Sequence, residues 1–353
     1  FHVENFDKFP RMYSDHAIQA ALMHGDLKNY RLSLQLFGAF FLAPMRLLVG
    51  LSFFTIGIVF IGIPLTILNG RFRQLSRKYT TFIFHYLTQL GFWGIGISEV
   101  KTVYADGVRP DRPLNVISNH VGIVDVLYML HRGSFSFVCK KALESTFCVG
   151  HFIRLLNCIT VDRHSMKNRK EAYWSIVDRM KSIEEGRESV SLAVYPEGTT
   201  SRGNIVLPFK HGAFGALVPL QPLLVVLDYR YVNIAFDAFP CKWWMFHTFC
   251  SPVTVPLIVY WLPTIHPPSR EDCAIKGEHE CVREYAIQAN RMMREAMIKL
   301  NPNVDLSHME TRDVVASPAW RKKLLARLYG PVIQRYYNIT DEELLKPEEV
   351  IFQ

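Results

Sequence analysis

Residues 47–68, LLVGLSFFTIGIVFIGIPLTIL, run for 22 positions without a charged side chain. Coiled as an α-helix, that run is about 33 Å long, against a bilayer hydrocarbon core of about 30 Å. Between residues 32 and 68 the only charge is Arg46. Gly50, Gly57, Gly62 and Pro64 weaken a helix in water but are common in membrane helices. The run therefore predicts a membrane segment. A single pass fits it, and so does a re-entrant hairpin in which Pro44 and Arg46 mark the bend and residues 34–45 form a short second arm. Arg71, Arg73, Arg77 and Lys78 follow with no acid among them, which places the succeeding chain in the cytoplasm. Residues 79–98 are uncharged, aromatic and broken by glycine. They predict an interfacial helix, with a second full span as the alternative.

The whole chain has 353 residues, 49% of them hydrophobic and 20% charged, which excludes disorder, collagen-like repeats and coiled coil as overall descriptions. A net charge of +8 suits anionic partners. Seven cysteines without a C-x-x-C pair argue against a disulfide scaffold or zinc ribbon and for a reducing compartment. The basic stretch 154–170 contains no aromatic residue on which bases could stack, so nucleic acid is not an expected partner.

Beyond residue 100 the texture changes. Short apolar runs at 114–118, 135–140, 157–161, 190–195 and 223–228 predict buried strands, and helical periodicity is carried by 124–130 and 167–185. Strand and helix in alternation predict an α/β domain with a mostly parallel sheet flanked by helices, preceded by an N-terminal helical membrane anchor. A long helix is expected at about 278–300, and Ser317-Pro318 opens a basic helix that stops at Gly330. The expected organisation is an N-terminal segment (1–31), a membrane anchor and interfacial helix (32–100), the α/β domain (101–300) and a helical tail (301–353).

Four constellations bear chemistry. In Asn119-His120-Val121-Gly122-Ile123-Val124-Asp125, the aspartate can hold the imidazole through Nδ1–H and leave Nε2 to take a proton. Five positions of ideal helix turn through about 500°, so the pair cannot share one helix face. It meets only if His120 lies on a strand-to-helix turn and Asp125 in the first helical turn. Tyr195-Pro196-Glu197-Gly198-Thr199-Thr200-Ser201-Arg202 is a glycine- and hydroxyl-rich turn at a strand end, with Lys210 further on, of the kind that receives phosphate. Arg163 ends another strand inside a stretch, 132–170, that holds eight Lys/Arg against two acids. Pro219 and Pro222 flank the start of an apolar strand, a pattern that a sheet edge also produces.

In this order the four blocks resemble the motif set of the membrane glycerolipid acyltransferases with an H-x4-D active site, over about 110–265. YPEGTTSRGNIVLPFKHGAF, VPLQPLLVVLDY and LPTIHPPSREDC are similar to the lysophosphatidylcholine/lysophosphatidylethanolamine branch. Two departures stand out: Tyr195 replaces the commoner Phe, and Val121-Gly122-Ile123 is a small aliphatic filling. The resemblance implies that His120 is a general base oriented by Asp125, that Arg163, Glu197, Gly198 and Thr199 position a glycerol-phosphate with Lys140 assisting, and that Pro222 shapes the acyl-CoA side. It implies acyl-CoA as co-substrate, no cofactor and no metal. The implied acceptor is a lysophospholipid, with lysophosphatidic acid or glycerol-3-phosphate as alternatives. The implied location is the endoplasmic reticulum or a related endomembrane, with the catalytic domain facing the cytosol. No G-x-S-x-G elbow is present, which agrees with direct attack on a thioester without an acyl-enzyme. A membrane-anchored lipid- or CoA-binding protein without catalysis is the competing class; loss of His120, Asp125 or Glu197 would favour it, and all three are present.

Overall fold

The computed structural model describes residues 32–57, most of 73–300 and a few positions between 335 and 340. Expectations for residues 1–31, the second half of the 47–68 run, Arg163, Arg202 and the Ser317-Pro318 helix fall outside the described residues.

Two long helices come first, α1 (Leu32–Gly57) and α2 (Arg73–Gly94). The α/β part then runs β1 (Ile97–Tyr104), β2 (Asn115–Ser118), α3 (Ile123–Arg132), β3 (Phe135–Lys140), a 3-10 turn (Lys141–Ser145), α4 (Val149–Leu155), β4 (Ile159–Val161), α5 (Met166–Glu184), β5 (Ser191–Val194), a 3-10 turn (His211–Ala213), β6 (Gln221–Leu227), α6 (Cys241–Cys250), β7 (Val255–Trp261), α7 (Arg270–Lys276) and α8 (Glu278–Leu300). The seven strands form one sheet in the order β1-β7-β6-β2-β5-β3-β4. Every neighbouring pair is parallel except β6 with β7.

β2, β5 and β6 are buried at every residue, as parallel strands covered on both faces must be. One face carries a core that joins Phe84, Leu87 and Phe92 of α2 to Val124, Leu127 and Met129 of α3 and to the sheet. The other joins Ile176, Val177 and Met180 of α5 to Tyr285, Ala289 and Met293 of α8. The result is a three-layer arrangement in which α2, the expected interfacial helix, packs directly on the helix that carries Asp125.

The differences from the sequence reading have local causes. The aromatic helix stops at Gly94 rather than continuing to 98, because Gly96 turns the chain in the left-handed region (φ +81°) and Ile97 opens β1. The sheet thus begins inside the segment assigned to the anchor. β1 was hidden by Glu99 and Lys101, which its exposed edge position tolerates. β7 was hidden by Pro256, which demotes a run from strand status on sequence grounds. β4 begins at Ile159 because Asn157 adopts φ +50°.

Of the two membrane geometries left open, the hairpin required a bend at Pro44 and Arg46, and that bend is not formed. α1 runs through both residues as one helix. Arg46 is buried, and its guanidinium donates to the carbonyls of Thr248 (2.9 Å), Phe249 (3.2 Å) and Ser251 (2.7 Å) at the C-terminal end of α6. Gly38 allows the close approach: a Cβ there would lie 1.7 Å from the Cys250 carbonyl oxygen. α1 contains one stretch, Leu36–Gly57, long and apolar enough to cross a membrane, with a mean hydropathy of 1.8 and 6% of its window buried.

Candidate active site

β2 ends at Ser118, and the chain leaves it through Asn119, whose buried amide holds both backbone groups of Val225 on β6 (Nδ2 to the carbonyl 2.9 Å, Oδ1 from the N–H 2.8 Å). Asn119 therefore continues the sheet ladder with its side chain and sets the direction in which His120 departs. The sequence contained Asn119, but nothing in the pattern assigned it this role. Gly122 then turns at φ +123°, a region costly for any residue with a Cβ, and α3 starts at Ile123.

That turn brings together the pair which the helix argument had kept apart. His120 Nδ1 lies 2.9 Å from Asp125 Oδ2. The same oxygen accepts the N–H groups of Val121 (2.5 Å) and Gly122 (3.1 Å) at the start of α3, where the helix dipole also favours a negative charge. Asp125 is fully covered, whereas the His120 side chain is 24% exposed, so one edge of the imidazole meets solvent while its partner is sealed. The ring of Tyr195, just beyond β5, stacks on the imidazole with centroids 4.1 Å apart and planes 17° from parallel.

Glu197 is deeply buried rather than facing an open cleft. Its carboxylate accepts from the N–H of His120 (3.4 Å) and of Leu207 (3.1 Å), tying the His120 turn to the loop beyond β5. Burial makes it a weaker acid, pushing its pKa up to about 8, with the two backbone donors pulling the other way. A second tie runs from the Ser201 N–H to the His120 carbonyl (2.6 Å). Gly198 turns in the left-handed region (φ +68°), and a Cβ there would lie 2.6 Å from Lys210 Nζ. Thr199 is half-exposed next to it.

The remaining expected site residues are dispersed. Lys140 is exposed at the C-terminal end of β3, the same edge of the parallel sheet that carries His120 and Gly198. Pro222 lies inside β6, buried between β2 and β7. That corrects the edge-strand reading: its register partner is Ile117, and its carbonyl accepts from Leu262. Among the described residues no group of His, Cys, Asp or Glu has the arrangement of a metal site.

Residues 99–227 match the family model described as Acyltransferase. Lysophospholipid acyltransferase LPEAT1 of Arabidopsis thaliana is 29% identical over 164 residues, or 46% of this chain and 41% of that protein. The lysophosphatidylcholine acyltransferase of Drosophila melanogaster is 28% identical over 165 residues, or 47% of this chain and 27% of that protein. The chain thus spans less than half the length of these curated relatives. The crystal structure of the 1-acyl-sn-glycerophosphate (LPA) acyltransferase PlsC from Thermotoga maritima is similar in fold, with a TM-score of 0.50 at 22% identity, covering 74% of this chain and 98% of that one.

Proposed function

Because residues 99–227 form a domain of the acyltransferase family, we propose that this protein moves a fatty acyl group from acyl-CoA to the free hydroxyl of a lysophospholipid, lysophosphatidylcholine or lysophosphatidylethanolamine before other acceptors. The observation that carries the reading is the His120–Asp125 contact of 2.9 Å, with the aspartate sealed and the imidazole reachable.

With Nδ1–H donated to Asp125, Nε2 takes the proton of the acceptor hydroxyl as that oxygen attacks the thioester carbonyl. The tetrahedral intermediate collapses, the carbon–sulfur bond breaks, and the imidazolium returns its proton to the departing CoA thiolate. Asp125 stabilises the imidazolium between these two steps. Lys140, Arg163, Gly198 and Thr199 serve the anionic groups of the acceptor, and Glu197 serves by holding the His120 turn. Pro222 acts at the acyl-CoA side only through the shape of β6.

The acceptor is a lipid, and the two N-terminal helices suit a protein that meets it in the bilayer. On α2, Phe82, Tyr86, Leu90 and Trp93 are exposed at spacings of four, four and three residues, one face of a helix. On α1, Phe37, Phe40, Phe41, Leu48 and Leu51 are exposed too. Residence in the endoplasmic reticulum or a related endomembrane, with the α/β domain on the cytosolic side, follows from this reading together with the basic cluster at 71–78.

Purified protein, labelled acyl-CoA and a panel of lysophospholipids, lysophosphatidic acid and glycerol-3-phosphate test the proposal. Acyl transfer to a lysophospholipid that is lost in His120→Ala is the expected result. No CoA release with any acceptor, or a His120→Ala variant as active as the natural protein, overturns it.

A further inference from the structure

Asp125 makes all three of its hydrogen bonds through Oδ2. Its Oδ1 is buried and has no hydrogen-bond partner among the described residues. The hydroxyl of Tyr195 is likewise buried without one. Both side chains touch the same imidazole, Asp125 in its plane through Nδ1 and Tyr195 across its face. One orphan is an acceptor with spare lone pairs and the other is a donor. An unmatched buried oxygen loses its hydration without compensation, and a single O–H···O contact relieves both.

We propose that the Tyr195 hydroxyl donates to Asp125 Oδ1, which makes Tyr195 a positioning residue that holds the aspartate from one side while its ring holds the imidazole from the other. The phenol is suited to donate: burial, and next the negative charge of Asp125, hold it protonated far above the ordinary tyrosine range. Two consequences follow. The carboxylate is locked in the orientation that presents Oδ2 to Nδ1. Part of its charge is also drawn to Oδ1, so the Nδ1–H···Oδ2 contact is weaker than with a three-donor aspartate. This inference rests on His120 being the base, and its test has a readout independent of turnover.

Tyr195→Phe keeps the ring and removes the donor. The expected result is a loss of about tenfold in kcat, the scale of one hydrogen bond to a charged group, with KM for both substrates within about twofold and the melting temperature a few degrees lower, because Asp125 Oδ1 is left without a donor. In protein labelled at histidine, the His120 Nδ1–H proton resonance, assigned by its loss in His120→Ala, moves downfield as the Asp125 contact tightens. 3-Fluorotyrosine at the same position keeps the hydroxyl and makes it more acidic. It moves the resonance upfield, and it serves if the Phe variant does not fold. An unmoved resonance in both variants overturns the proposal, as does a kcat of the Phe variant equal to that of the natural protein. If the natural protein transfers no acyl group to any acceptor but the resonance moves in both directions, the acyltransferase reading fails and the Tyr195–Asp125 contact stands.

Discussion

Two buried charges sit at opposite helix ends in two regions of the molecule. Arg46 of α1, 4% exposed, is held by carbonyls at the C-terminus of α6, and Asp125, 0% exposed, by N–H groups at the N-terminus of α3. Each charge matches the sign of its helix dipole. The difference lies in what else they touch. Arg46 spends one guanidinium nitrogen, Nη1, on backbone carbonyls and binds one helix to another. Asp125 sets its charge against an imidazole that reaches solvent. A buried charge becomes a chemical device only when an exposed titratable group shares it; otherwise it is a fastening.

The sharpest test of that contrast is to remove each device in turn. His120→Ala is expected to lower kcat/KM by about 10³-fold, within the range for a general base, with little change in melting temperature because the side chain is partly exposed. If turnover survives, the two buried charges differ less than their surroundings suggest. Arg46→Met, measured by denaturant unfolding, is expected to cost about 3 kcal/mol, because the α6 carbonyls lose a charged donor in a buried place. The kcat of the folded fraction should stay within twofold. A selective fall in kcat would show that the fastening reaches the site.

A smaller effect separates the apolar faces from the sheet. Phe82→Ser with Trp93→Ser is expected to weaken binding to anionic phospholipid vesicles about tenfold, with turnover of short-chain monomeric substrates retained. Sedimentation with vesicles measures the first and a CoA-release assay the second. The last effect is electrostatic and is read as a slope against pH. Glu197 titrates near 8 when folded, above its unfolded value of 4.5, so its contribution to stability is fully present below about pH 4.5 and is lost as pH rises through about 8. Melting temperatures of Glu197→Gln between pH 5 and 8.5 should therefore fall less steeply than those of the natural protein. Parallel curves would show that Glu197 is ionised throughout.

The spacing of His120 and Asp125 was legible because a five-residue offset admits contact in only one local geometry, a strand end turning into a first helical turn at a glycine. The five apolar runs were legible as strands because strands buried on both faces need uninterrupted apolar residues. β1 and β7 were not. One carries edge charges and the other a proline, and only their neighbours in the sheet make them strands. The choice between a single pass and a hairpin bent at Pro44 was not legible for a similar reason: only the α6 carbonyls make Arg46 a buried anchor rather than an interface marker.

The linear chain by itself determined the α/β class, the one local geometry in which His120 and Asp125 can meet, and the crowding of uncharged apolar residues ahead of them. These depend on composition, period and spacing, which neighbours in sequence carry. Tertiary structure decided which charges are sealed, that Glu197 braces the His120 turn from within, that the Asn119 side chain continues the β2 ladder to Val225 of β6, and that Tyr195 lies flat on the imidazole. Each of those contacts joins residues that are 75 or more positions apart, and no local pattern encodes which distant group will fill a buried hydrogen bond or cover a ring.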